Sequence, residues 1–166
     1  MTADEAIQRA KKIKLLLTDS DGVLTDNGVY YGASGEVMKR FSIRDGMGVE
    51  RLRTICQIET GIITGEMSPS VATRAEKLKI TELHLGVSNK LERLADILQR
   101  KGLKPEEVAF IGDDVNDLEI LKAVGLACSP SDGMDLLDHA IHYRCTVKGG
   151  EGCFREVAEF IIKSKS

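Results

Sequence analysis

The chain has 166 residues, 42% of them hydrophobic and 30% charged, with 23 basic against 26 acidic side chains and a net charge of −3. That length suits one globular domain, since domains cluster near ~100–150 residues, and ordinary apolar content argues against disorder. Near-balanced charge and 4% aromatic residues, with no Trp, give neither a basic footprint nor a stacking platform for nucleic acid. No apolar run approaches the ~20 residues that span a bilayer. The polar, acidic start at residues 1–6 is unlike a secretory signal, so no membrane partner and a cytoplasmic location are expected. Cys56, Cys128, Cys145 and Cys153 lack CxxC spacing and are expected as reduced, mostly buried thiols.

Residues 13–18 form a short apolar run that ends at Asp19 and predicts a first strand. Residues 28–41 divide into Val29-Tyr30-Tyr31 and 37–41 around Gly32-Ala33-Ser34-Gly35, a β-hairpin signal. A second run covers 58–64, and Ser68-Pro69 then cap and open a helix over 70–79. After a strand at 82–86, residues 90–101 place Leu91, Leu94, Ala95 and Leu98 on one stripe that Gly102 stops. Strands at 108–112, 125–128 and 141–144 alternate with helices at 116–124, 132–140 and 152–163. Continuous apolar strands alternating with helices predict a doubly wound, Rossmann-like α/β fold with a parallel sheet. A single domain, 1–166, is expected, with the hairpin projecting over the sheet end beyond the first strand.

In open α/β sheets ligands bind at the carboxyl ends of the strands. The first strand there runs into Asp19-Ser20-Asp21-Gly22-Val23, the second into Thr64-Gly65, and the fourth into Gly112-Asp113-Asp114-Val115-Asn116-Asp117. Ser88-Asn89-Lys90 opens the helix beyond the third. Side by side, these ends gather the carboxylates of Asp19, Asp21, Asp113 and Asp117, which repel unless a cation sits among them. Hard oxygen ligands suit Mg²⁺, and with Lys90 and the Thr64 hydroxyl they form a site for a phosphoryl group. Each piece also has an ordinary role: a turn or helix cap for the acidic pairs, a solvated helix residue for Lys90, a strand exit for Thr64-Gly65. Their co-occurrence at one sheet edge favours the chemical reading.

In that order the motifs resemble those of the haloacid dehalogenase superfamily of phosphatases. Nearly the whole chain is similar to its capless group acting on 3-deoxy-manno-octulosonate (KDO) 8-phosphate, through residues 19–26, 41–46, 62–65, 88–91, 111–117 and 149–157. The resemblance implies a phosphoric monoester hydrolase that works through an aspartyl-phosphate, with Asp19 as nucleophile and Asp21 as general acid and then base. It implies Mg²⁺ held by Asp19, the backbone carbonyl of Asp21, and Asp113. Thr64 and Lys90 would hold phosphoryl oxygens, with Asp114, Asn116 and Asp117 in support. Ser42, Ile43, Arg44, Asp45, Gly46, Gly65, Glu66, Arg74 and the hairpin would line the sugar-acid pocket, and Lys148 and Arg155 are further cations for a substrate carboxylate.

Glu66 departs from the pattern, because phosphatases for the eight-carbon acid typically carry Arg after Thr-Gly. Related phosphatases for nine-carbon (KDN or sialic acid) 9-phosphates carry Glu, which repels a carboxylate but accepts hydrogen bonds from hydroxyls. A nine-carbon substrate is therefore the alternative, and a receiver-like phospho-acceptor or silent regulatory module is the alternative of another class. The stretches from Asp19 to Thr64 and from Thr64 to Lys90 are too short to hold a lid domain. The resemblance implies a homotetramer instead, with hairpins packed together and a glycine-rich tail at 148–152 approaching a neighbour's site.

Overall fold

The computed structural model describes residues 2–166. Helix α1 (Ala3–Ala10) starts at a capping box: Thr2 N–H donates to Glu5 Oε2 at 2.9 Å, and Glu5 N–H to Thr2 Oγ1 at 3.3 Å. Next come β1 (Leu15–Thr18), the hairpin strands β2 (Thr25–Gly32) and β3 (Gly35–Phe41), and α2 (Ile43–Cys56). Then follow β4 (Glu59–Ile63), α3 (Pro69–Lys77), β5 (Glu82–His84), α4 (Lys90–Lys101) and β6 (Val108–Ile111). Helix α5 (Leu118–Ala123), β7 (Leu126–Ser129), β8 (Tyr143–Arg144) and α6 (Cys153–Lys165) complete the chain.

Six strands pair in parallel in the order β5-β4-β1-β6-β7-β8, and the hairpin forms its own two-stranded antiparallel sheet. The chain winds outward from β1 through β4 to β5, then crosses back to β6 on the other side of β1. Winding direction therefore reverses at β1, which opens a crevice at its carboxyl end. Alternation along β1 divides the core between the two faces of the sheet. Leu16, with Ala109 and Ile111 of β6, packs with Leu52, Val71, Phe154 and Val157 from α2, α3 and α6. Leu15 and Leu17, with Val108 and Phe110, pack with Leu94, Ile97, Ile120 and Leu121 from α4 and α5.

Two expectations are corrected. In place of a helix over 132–140 there is only a 3₁₀ turn at Asp135–Leu137. Gly133 N–H turns back onto Pro130 O at 3.1 Å and Met134 N–H donates to Asp113 O at 2.8 Å, so the segment is fastened before a helix can begin. The glycine-rich stretch is likewise an internal loop running into α6 and not a tail. Gly150 N–H donates to Val23 O at 2.9 Å and Gly149 N–H to Asp132 Oδ1 at 2.9 Å. Arg40 of β3 holds the same loop, through Glu151 at 2.9 Å and Gly150 O at 3.3 Å.

The remaining polar residues behave structurally. His142 Nδ1 accepts from Ala127 N–H at 2.9 Å, and His84 Nε2 lies 2.5 Å from Glu82 Oε1. Cys128, Cys145 and Cys153 are buried free thiols. Among the described residues no helix is long and apolar enough to cross a membrane. Phe154 is fully buried where α6 meets the sheet. Truncating it to Ala should cost about 3–5 kcal/mol in urea unfolding, through lost burial plus a residual cavity.

Candidate active site

Hydrogen-bonded sheet geometry delivers the first carboxylate: Asp19 N–H donates to Ile111 O at 2.9 Å, extending β1 alongside β6. Its buried side chain accepts from Ser20 N–H at 2.6 Å through Oδ1 and lies 3.0 Å from Lys90 Nζ through Oδ2. Lys90 opens α4, which Asn89 caps by accepting from Glu92 N–H at 3.1 Å. The Lys90 ammonium is buried 5.7 Å above the Phe110 ring and bonds Asp117 Oδ1 at 2.5 Å. Asp117 Oδ2 in turn accepts from Asp113 N–H at 3.0 Å, which fixes the loop after β6. Thr64, buried at the end of β4, donates its N–H to His84 O at 3.0 Å and accepts from Glu66 N–H at 3.3 Å. A cavity of about 190 Å³ opens here, lined by Asp19, Asp21, Asn27, Thr64, Gly65, Glu66, Asp113, Asp114 and Asn116.

One ammonium faces three buried carboxylates. Burial pulls Lys90 down, but Asp19 and Asp117 more than offset it, and its pKa lies above the ordinary lysine value. The carboxylates are left short of positive charge. Burial and the Asp117 charge raise Asp19 despite Lys90, and burial with the Asp19 and Asp117 charges pushes Asp113 up to about 8. Oxygens of Asp19, Asp113 and Asp117 all lie within 4.8 Å of one another.

A hard divalent cation fits this donor set. Among the described residues Asp113 Oδ2 has only the Asn27 amide at 3.5 Å, whereas Asp117 is used on both oxygens by Lys90 and the Asp113 amide. Asp113 is therefore the carboxylate left free to take a cation, Asp19 lies beside it already held by Ser20 N–H and Lys90, and Asp117 positions both. Gly22, at φ +81°, is what lets Asp113 approach the Asp21–Gly22 turn, since a Cβ there would lie 1.9 Å from Asp113 Oδ2. An all-oxygen set with excess negative charge suits Mg²⁺.

Other candidates are spread more widely. Glu66, Gly65, Asp114 and Asn116 line the cavity, and Asp114 also caps the 3₁₀ turn after it by accepting from Val115 N–H at 2.6 Å. Residues 42–46 do not line it. Ser42 caps α2 by accepting from Arg44 N–H at 3.2 Å, Ile43 is 85% exposed, and Arg44 is exposed. Asp45 is buried and accepts from Arg155 N–H at 2.9 Å, with burial pushing it up to about 6 against that bond and the nearby Arg74 charge. Gly46 makes room for Arg74, whose guanidinium donates to Ser42 O at 3.0 Å and stacks over Phe41. Arg74 lines a second groove, between β3 and α3, and Arg155 pairs with Glu159 at 2.8 Å.

Two residues near the cavity carry no motif. Asn27 sits at φ +68°, a left-handed conformation that Asn tolerates better than most, and turns its amide toward Asp113. Lys39 of β3 binds the Asp21 carboxylate, at 2.8 Å from both oxygens.

A family model described as haloacid dehalogenase-like hydrolase matches residues 36–125. A KDO 8-phosphate phosphatase KdsC of Yersinia pestis is 42% identical over 160 residues, covering 96% of this chain and 85% of that protein. The chain belongs to the haloacid dehalogenase-like hydrolase family. The KdsC of Escherichia coli K12 is 39% identical, covering 95% of this chain and 84% of its own length. The Moraxella catarrhalis KDO 8-phosphate phosphatase, solved with a magnesium ion, a phosphate ion and KDO, superposes with a TM-score of 0.94. It shares 35% identity, and the match covers 99% of this chain and 94% of that one. Membership in this hydrolase family decides against the receiver-like reading.

A carboxyl raised in the folded state contributes stability below its ordinary range and loses it as pH rises through the raised value. For Asp113 that loss runs from the ordinary 3.8 up through about 8. Metal-free protein should therefore melt lower at pH ~9 than at pH ~6, and added Mg²⁺ should recover most of the difference. Equal melting at both pH values, with and without Mg²⁺, would contradict this account of the cluster.

Proposed function

We propose that this chain is a Mg²⁺-dependent phosphatase of KDO 8-phosphate, hydrolysing the phosphomonoester of a 2-keto-3-deoxy sugar acid in the cytoplasm. The observation that carries the reading is the buried Asp19 carboxylate, paired with Lys90 behind it and sharing one cavity with Thr64 and Asp113. Relatives named for this activity cover nearly the whole chain, which supports the choice of substrate.

In this reading Asp19 attacks phosphorus, forming a carboxylate oxygen–phosphorus bond as the bond to the sugar oxygen breaks. The Ser20 N–H and Lys90 hold its two oxygens, so the nucleophile is oriented before substrate arrives. Asp21 gives its proton to the departing sugar oxygen, then takes one from the water that opens the aspartyl-phosphate. Lys90 and the Thr64 hydroxyl face the transferred oxygens, and Asp117 keeps Lys90 in place. Asp19, Asp113 and the Asp21 carbonyl would hold Mg²⁺, which when bound neutralises charge on the phosphoryl group and the carboxylates.

Glu66 lines the cavity beside Thr64 and Gly65 and serves here as an acceptor for sugar hydroxyls. Arg74 and Arg44, expected as cations for the substrate carboxylate, lie outside this chain's own cavity. Replacing Asp19 with Asn should lower Mg²⁺-dependent phosphate release from KDO 8-phosphate more than about 10³-fold, with the fold retained by circular dichroism. The wild type should show a higher kcat/KM on this ester than on nine-carbon 9-phosphates. The reverse preference would move the assignment to the nine-carbon class.

The hairpin exposes Tyr30 at 65% and Tyr31 at 70%, with Val29, Val37 and Met38 beside them. An apolar strip of this kind on a lidless enzyme supports a homotetramer built by hairpin packing, which would also wall the open site. Light scattering should give four times the chain mass, and Tyr30→Ser with Tyr31→Ser should shift it toward monomer. A monomeric wild type with full activity would refute the assembly.

A further inference from the structure

On β3 the side chains of Val37 and Met38 are more than half exposed, yet that of Lys39 is only 3% exposed. A lysine is rarely buried unless its charge is paired, and this one points inward toward the catalytic loop. Its Nζ lies 2.8 Å from both oxygens of Asp21 and 3.5 Å from Glu36 Oε2. Glu36 is itself anchored on the start of α3, accepting from Ser68 Oγ at 2.7 Å and from Ser70 N–H at 3.3 Å. Ser68 completes the line by capping that helix, accepting from Val71 N–H at 3.2 Å.

We propose that Lys39 is the positioning residue for Asp21, aiming the acid–base carboxylate of the reaction from the hairpin. The inference rests on the phosphatase reading above and extends it to a residue outside the catalytic motifs. Two features separate this role from that of a phosphate-binding lysine. An ammonium has three N–H donors, and the two Asp21 oxygens with Glu36 offer three acceptors, which leaves none for a phosphoryl oxygen. Among the described residues, Asp21 has no side-chain partner other than Lys39. Asp19 is held by Ser20 and Lys90 and Asp117 by Lys90 and Asp113, whereas Asp21 is held from the hairpin alone.

Proton transfer tolerates little misalignment: a displacement near ~1 Å can cost on the order of 10²-fold. Lys39 therefore matters where Asp21 must deliver its proton, to a sugar alkoxide, and not where the leaving group departs as a stable anion. That difference gives the test. Wild type, Lys39→Met, Lys39→Arg, Asp21→Asn and the double variant Asp21→Asn/Lys39→Met are compared by kcat/KM on KDO 8-phosphate and on p-nitrophenyl phosphate. Lys39→Met should lose about 10²-fold on the sugar ester but less than about 5-fold on the aryl ester. Lys39→Arg should recover part of the loss, and the double variant should be no worse than Asp21→Asn, since the two act as one unit.

Equal losses on both esters, or additive losses in the double variant, would overturn the assignment in favour of a structural or binding role. Activity unchanged in Lys39→Met would overturn it outright. Should Lys39→Met fail to fold, Glu36→Gln carries the same comparison, because it weakens the anchor of Lys39 while keeping the ammonium. A wild type that releases phosphate from neither ester would instead defeat the phosphatase reading, a result distinct from all of these.

Discussion

Three carboxylates buried against one ammonium would not persist in isolation, and the rest of the molecule is arranged to keep them together. Lys90 joins Asp19 to Asp117, and Asp117 joins that pair to the backbone of Asp113, so the loops after β1 and β6 share a single charged centre. The remaining excess of negative charge is the property that makes the site bind a cation and then a phosphoryl group. Parallel strands are what bring the pieces within reach. Every strand end points the same way, and the reversal of winding at β1 leaves no helix across the crevice.

Much of this is legible in the sequence because its signals are local. The span of α4 follows from an apolar stripe, an Asn cap and a terminal Gly in the left-handed conformation. Strand ends carrying Asp19, Thr64 and Asp113 follow from short apolar runs that stop at polar residues. Helix α1 carries a local signal as well, Thr2 followed three residues later by Glu5 in a capping box. Residues 132–140 mislead for the opposite reason. Their apolar spacing is helical, but backbone bonds to Pro130 and Asp113, residues the pattern does not include, decide the conformation.

Lys39 and Asn27 show where local reading ends. Each lies in a segment whose pattern reads as an exposed hairpin, and each acts across a long sequence separation, Lys39 on Asp21 and Asn27 on Asp113. No spacing rule connects them to the strand-end motifs. Ser42 and Asp45 pose the converse problem: residues placed near the substrate by resemblance are occupied in capping α2 and holding α6. A polar residue already holding a helix end offers a substrate less than its identity suggests.

The loop at Gly149–Gly152 touches no reacting group, yet it forms the underside of the catalytic turn. A Cβ at Gly149 would lie 1.9 Å from Gly22 O, and one at Gly150 would lie 2.3 Å from Asp26 N, so main chain rests directly on main chain. No side chain is interposed that could be exchanged for another. The first and last parts of the chain are thereby made a single mechanical unit, with the loop before α6 serving as the bed on which the β1 turn lies. A chain cut ahead of Gly149 would retain every catalytic side chain and still lose the support that gives them their shape.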